Sequence, residues 1–157
     1  MSLNNAFPNI LNEHFVITSD LTTSYNCIAW AFGDNTKWYW PAECFSYWPP
    51  NIKNVVDDES FIQLYGLIGY AVCENNSLEW GKEKIAIYTL NGVPTHAARQ
   101  LENGYWTSKL GEWHDVEHSA IALNNSPDYG DATIFMSRNT KNLICRFLKK
   151  FIPSFVP

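Results

Sequence analysis

Apolar positions fall in short clusters along this chain, and their spacing changes from one cluster to the next. Residues 25–32 (Tyr25-Asn26-Cys27-Ile28-Ala29-Trp30-Ala31-Phe32) are apolar almost throughout. Thr22, Thr23 and Ser24 precede them as candidate N-caps and Gly33 follows as a stop, so the stretch predicts a short buried helix. Phe61, Leu64, Tyr65 and Ile68 recur at helical spacing after Asp57 and Asp58, which predicts a helix over roughly 59–68 ended by Gly69. The pattern then turns strand-like. Lys84–Tyr88, Thr95–Leu101 and Tyr105–Leu110 are separated by Asn91-Gly92-Val93-Pro94 and by Asn103-Gly104, the signature of an antiparallel meander. Pairing across Asn103-Gly104 sets Glu102 opposite Tyr105.

The flanking segments complete the outline. Residues 1–20 read as an extended lead-in with Phe15, Val16 and Ile17 as an edge, Tyr70–Cys73 as a short strand and Asp131–Met136 as the last strand. Asp115 reads as the cap of a short helix over 116–122. Leu143, Ile144, Phe147, Leu148 and Phe151, interleaved with Lys141, Arg146, Lys149 and Lys150, predict an amphipathic helix over about 140–152 that docks on the sheet. Residues 34–54 hold Trp38, Tyr39, Trp40, Tyr47, Trp48 and three prolines, too many breakers for a central strand or regular helix. The expected fold class is α+β, a single domain over 1–157 with its core at about 22–135. A helix bearing Cys27 packs on a small antiparallel sheet, with the Trp-rich loop over one end.

Composition narrows the partners. The chain has 157 residues, 46% hydrophobic and 15% aromatic, enough for one domain with a real core. Its net charge of −5 argues against nucleic acid or an anionic membrane as main partner, since both attract a basic face. The N-terminal residues lack the basic and apolar regions of a signal peptide, and no apolar run is long enough to span a bilayer. A cytoplasmic location is the expectation, with export by a signal-independent route left open. The four cysteines contain no Cys-x-x-Cys pair, so free thiols are expected rather than a zinc site.

Cys27 is the leading chemical candidate. A thiol in the first turn of a helix feels the positive end of the helix dipole, which favours the reactive thiolate. His96 opens the second strand of the meander and is the candidate proton acceptor. Ser108 on the next strand, or Asp115, Glu112 or His114 beyond it, would hold the second ring nitrogen of His96. The Cys27 amide, with the Asn26 side chain or the Tyr25 hydroxyl, would stabilise an oxyanion. Trp38, Trp40, Trp48 and Trp106 are candidates for a substrate platform, although the loop tryptophans serve equally as a flap over the core. Arg99 and Lys109 could meet a substrate carboxylate, or pair with Glu102, Glu112 or Asp115. Cys27 could also be a small core side chain and nothing more. His114, Asp115 and His118 mimic a metal cluster, but two imidazoles at a helix entry read better as a solvated surface. This chemistry needs no metal and no cofactor.

The residues Tyr25-Asn26-Cys27-Ile28-Ala29-Trp30-Ala31, Trp38-Tyr39-Trp40-Pro41, Pro94-Thr95-His96-Ala97-Ala98-Arg99-Gln100-Leu101 and Tyr105-Trp106-Thr107-Ser108-Lys109-Leu110-Gly111 resemble an uncharacterised bacterial domain family. That family is similar to the NlpC-type branch of the papain-like superfamily, whose members are cell-wall peptidases, amidases and acyltransferases. The resemblance covers roughly residues 22–135. It implies a papain-like core in which Cys27, His96 and Ser108 take the nucleophile, base and third positions. The branch usually carries Asp-Cys-Ser where this chain has Asn26-Cys27-Ile28, and His, Asn or Gln where it has Ser108. The expected function is a thiol hydrolase or acyltransferase acting on a peptide-like or amide bond. The alternatives are an inactive binding module on the same scaffold, or a toxin-type glutamine deamidase or transglutaminase.

Overall fold

The structure is a computed structural model and describes residues 2–140. Beyond Thr140, the helix expected over 140–152 lies outside the described residues. Among the described residues there are three helices: α1 (Leu3–Ala6), α2 (Cys27–Phe32) and α3 (Asp58–Gly66). The strands are β1 (Phe15–Ile17), β2 (Ala71–Cys73), β3 (Lys82–Leu90), β4 (Val93–Gln100), β5 (Trp106–Lys109), β6 (Asp115–His118) and β7 (Asp131–Asn139). They form one antiparallel sheet in the order β1-β6-β5-β4-β3-β7-β2, so the class is α+β. Among the described residues no helix is long and apolar enough to cross a membrane.

Both faces of the sheet are covered, which explains why Ile85–Tyr88 is buried without interruption. On one face Ile85, Ile87 and Ala97 pack with Cys27, Ile28 and Ala29 of α2 and Phe61, Leu64 and Tyr65 of α3. On the other, Ala86, Tyr88, Ala98, Trp106 and Val116 pack with Phe7, Leu110 and Leu123. Alternate residues of β4 therefore serve different cores.

The turns set the register. Asn91 and Gly92, at φ 52° and 79°, make a two-residue hairpin turn of the kind that needs positive φ at both positions, so β4 begins at Val93 rather than Thr95. The β4–β5 connection is longer than the expected two residues. Leu101 N–H donates to the Tyr105 carbonyl at 2.7 Å across Glu102-Asn103-Gly104, and Arg99 falls opposite Thr107. This shifts the pairing by one residue from Glu102 opposite Tyr105, and a one-residue shift exchanges faces. The β4–β5 ladder contains only Arg99–Thr107 and Gln100–Trp106. Toward the start of β4 the two strands are unpaired.

The helix expected over 116–122 is instead β6, paired to β1 on one side and β5 on the other. Its residues alternate, with Val116 and His118 fully buried, and Asp115 spends its carboxylate on Tyr25 rather than on a cap. The Trp-rich loop is a cover: Trp40 and Trp48 set their rings edge-on to Phe61 at 5.5 and 5.4 Å. The start of α2 is capped by Asn26, not by Thr22, Thr23 or Ser24. Asn26 Oδ1 accepts from the N–H groups of Ala29 (3.2 Å) and Tyr39 (3.0 Å), and its Nδ2 donates to the Tyr39 carbonyl (2.7 Å). One buried amide thus ends the loop and begins the helix.

Replacing Asn26 by Ala strands a helix N–H and both backbone groups of Tyr39. The expected cost is about 3 kcal/mol of unfolding free energy, measured by urea denaturation. A loss below about 1 kcal/mol would show that water or neighbours replace these bonds.

Candidate active site

Cys27 occupies the first position of α2, with 6% of its surface exposed. Burial pushes its thiol up to about 11; the N–H groups of Ala97, Ile28 and Cys27 itself, and the charge of Lys109, pull against that without overcoming it. At neutral pH the group is a protonated thiol. The thiolate expected from the helix dipole is not formed, because desolvation of the charged form outweighs a few aligned N–H groups. The neighbour that matters most is Ala97, which packs with Cys27 beside the unpaired stretch between β4 and β5 and whose N–H favours the charged form of the thiol.

His96 is the residue before Ala97 and leaves β4 on the opposite face. It pairs with Tyr88, whose ring meets it edge-on at 5.1 Å, and the Tyr129 ring stacks on it at 4.2 Å and 10°. The imidazole is completely buried and is held neutral by burial, and by the nearby His118, well below the usual histidine range. Its Nε2 hydrogen-bonds Ser108 Oγ at 2.9 Å, while its Nδ1 is buried with no hydrogen bond. The structure brings His96 and Ser108 together, but no hydrogen bond joins His96 to Cys27. The physical reason is strand alternation: Ala97, not His96, faces α2. The thiol and the imidazole approach β4 from its two sides, next to the gap in the ladder. Tyr129 stacks on His96, and burial raises its phenol.

The Tyr129 ring is placed by its loop. Ser126 Oγ accepts from the N–H groups of Asp128 and Tyr129, and Thr95 Oγ1 donates to the Tyr129 carbonyl at 2.6 Å. Gly130 is required next to it: at φ 73° it lies so close to β3 that a Cβ would overlap the Thr89 carbonyl. A cavity of about 220 Å³, lined by Phe7, Leu110, Trp113, Asp128 and Tyr129 among others, abuts this cover.

The remaining candidates sort by face. Asp115 lies on the α2 side, where Tyr25 donates to both carboxylate oxygens at 2.8 and 3.0 Å, so it does not orient His96. Tyr25 is thereby committed, and Asn26 is fully used as a cap and loop tie; neither side chain is free to bind an oxyanion. The N–H groups of Cys27 and Ile28 remain beside the sulfur. Lys109 is fully buried, donating to the carbonyls of Thr22 (2.8 Å) and Gly111 with its Nζ 5.2 Å from the centre of the Tyr25 ring. Burial lowers its pKa. Arg99 lies over the Trp30 ring at 5.5 Å. Lys109 is spent on carbonyls, and Arg99 lies on Trp30 with its Nε buried and without a hydrogen bond. Trp106 is buried against the second core, and Trp40 and Trp48 cover α3, so these rings form no platform. Trp38 is half-buried in the same loop. Glu112 is near enough to Lys109 to act on its charge and makes no bond to His96.

His118, read from the sequence as a solvated helix entry, is fully buried. Its Nε2 hydrogen-bonds Ser108 Oγ at 2.7 Å and its Nδ1 donates to the Ser119 carbonyl at 2.8 Å. The signal that could have found it is the alternation of Asp115-Val116-Glu117-His118, which places Val116 and His118 on one side. Among the described residues there is no group of three potential metal ligands, and Cys27, Cys44 and Cys73 are free thiols.

A family profile matches residues 16–137, and the chain belongs to that family, described as "Domain of unknown function (DUF7689)". No curated protein and no solved structure matches the chain.

Burying neutral histidines has a measurable consequence. Burial lowers His118 to about 4, against roughly 6.5 in an unfolded chain. A base with a depressed folded pKa stabilises the fold fully above the unfolded value, and that contribution is lost as pH falls from about 6.5 towards 4. Unfolding free energy should decline between pH 6.5 and 4.5 by up to about 1.4 kcal/mol per pH unit for each such histidine. The decline should be shallower in His118→Gln. A flat profile over that window would contradict the buried neutral imidazoles.

Proposed function

We propose that this domain is a papain-like thiol hydrolase or acyltransferase, of the NlpC-type branch, acting on an amide or peptide-like bond. The observation that carries this reading is the juxtaposition at the start of β4: Cys27 packs with Ala97, and the adjacent His96 holds a buried Nδ1 with no partner. An imidazole nitrogen left unpaired in a dry interior costs stability and implies a use. The chain order of Cys-bearing helix, His-bearing strand and Ser108 on the next strand supports the same branch.

In this mechanism the resting pair is uncharged, so proton transfer accompanies attack. As β4 shifts at the gap in its ladder and brings together the two groups that lie on its opposite faces, Cys27 Sγ bonds to the acyl carbon and its proton passes to His96 Nδ1. The N–H groups of Cys27 and Ile28 stabilise the oxyanion. The leaving amine departs with the proton from His96, giving a thioester on Cys27. Water or an acceptor amine then attacks the thioester, giving its proton to His96, and the thiol re-forms by recovering it. The elements covering the sulfur must part to admit substrate, because Cys27 is only 6% exposed. A glutamine side chain would serve as acyl donor by the same steps, releasing ammonia.

One observation favours a second reading, a binding module with a structural Cys27. A cavity of about 470 Å³ lies away from Cys27 and His96, lined by Leu78, Trp80, Gln100 and Leu101 among others, and Trp80 is 89% exposed beside it. The two readings separate in one experiment. The protein is incubated with a panel of acyl amides and acyl thioesters, and acyl adducts are located by intact-mass and peptide mass spectrometry. The thiol-hydrolase reading expects an acyl adduct on Cys27 that is lost in Cys27→Ala and slowed about 10²–10⁴-fold in His96→Ala. Adducts confined to the more exposed Cys44 and Cys73, or equal rates in His96→Ala, would leave the binding module.

A further inference from the structure

We propose that His118 is a positioning residue: acting through the Ser108 hydroxyl, it fixes which ring nitrogen of His96 carries the proton. The proposal rests on the thiol chemistry above for its purpose, but its geometry stands alone. Three hydrogen bonds run in series from the Ser119 carbonyl to His118, from His118 to Ser108 and from Ser108 to His96.

The direction of that series follows from the donor inventory. A carbonyl only accepts, so His118 Nδ1 carries a proton at its Ser119 end. A neutral imidazole has one N–H, which leaves His118 Nε2 bare and able only to accept. Ser108 must therefore donate its single hydroxyl proton to His118. The lone pairs of Ser108 Oγ then accept, and their partner is His96 Nε2, which must be the protonated nitrogen. His96 Nδ1 is left bare, and it is the buried ring atom with no hydrogen bond. A backbone carbonyl three hydrogen bonds away thus presents a proton acceptor in the interior. Reversing the series requires His118 to be a cation. Its surroundings oppose that: the pairing strands set Phe15 and Trp106 beside it, and the side chain is fully buried. The ionisable neighbours are His96 through Ser108, and His14 and Glu117, which bond each other at 2.8 Å.

The test is nitrogen NMR of the ¹⁵N-histidine-labelled protein at pH 7.5, where the two tautomers of each ring give distinct shift pairs. The expected result is His96 protonated at Nε2 and His118 protonated at Nδ1. In His118→Phe the acceptor is gone, Ser108 is free to donate to His96, and His96 should shift largely to the form protonated at Nδ1. His118→Gln, whose amide oxygen can accept from Ser108, should restore the wild-type tautomer. If His118→Phe does not fold, Ser108→Ala breaks the same series and should leave His96 in a mixture of both forms. Acylation of Cys27 should fall at least tenfold in the variants that lose the Nε2–H form and recover in His118→Gln. His96 protonated at Nδ1 in the wild type, or an unchanged His96 spectrum in the variant that folds, would overturn the proposal. Correct tautomers with no acylation of Cys27 would instead leave this relay in place and remove the proposed enzyme.

Discussion

Close approach of α2 to β4 is the constraint on which the rest of this molecule is built. Ala29 and Ala31 on the helix and Ala97 on the strand are essentially buried, and none of them has a side chain longer than a methyl. A larger residue at Ala97 would push the helix off the sheet, because interiors packed at crystal density do not absorb extra methylenes cheaply. With alanine there, the sulfur at the start of α2 reaches the backbone of β4 itself. On the other side, Ala98 leaves room for the aromatic core around Trp106 and Tyr88. One strand of small residues lets two cores be packed hard against opposite faces of a single sheet.

That arrangement gives the two chemically capable side chains unlike surroundings that share one consequence. The thiol is raised by burial and the imidazole is lowered by burial, so both are neutral. An ion pair between them would have to be desolvated on both partners, which a short stretch of aligned N–H groups does not offset. The sheet is also thinnest in hydrogen bonds where they converge, because the β4–β5 ladder ends after Arg99 and Gln100. A region with an incomplete ladder opens more readily than a fully paired one. The same few residues therefore combine a stored reactive group with the weakest seam of the central sheet.

On the α2 side of this seam the buried polar groups are paired. Asn26 satisfies three backbone groups with one amide, Tyr25 donates to Asp115, and Lys109 donates to carbonyls beside an aromatic face. His96 Nδ1 is one of several buried polar atoms along this seam with no hydrogen bond, together with Arg99 Nε, Gln100 Oε1 and Trp106 Nε1. The groups expected to be catalytic from their chemistry alone, Asn26, Tyr25 and Asp115, turn out to hold the scaffold; His118, expected on the surface, lies inside the network.

The hydrophobic pattern by itself determined the α+β class, the meander of β3, β4 and β5, the helix that starts at Cys27, the helix after Asp57 and the edge strand at Phe15–Ile17. These are local matters of periodicity, breakers and turn residues, and the chain states them directly. Tertiary structure decided what each side chain faces. A loop of three residues rather than two between β4 and β5 moves the register by one and exchanges sides, and no local signal distinguishes the two. Asp115–His118 became a strand because β1 and β5 were both there to pair with it, a condition created by residues far away in sequence. The placement of Tyr129 over His96, and of Ser108 between two imidazoles, likewise depends on strands meeting at long range, where side-chain direction is set by pairing rather than by the identity of the residue.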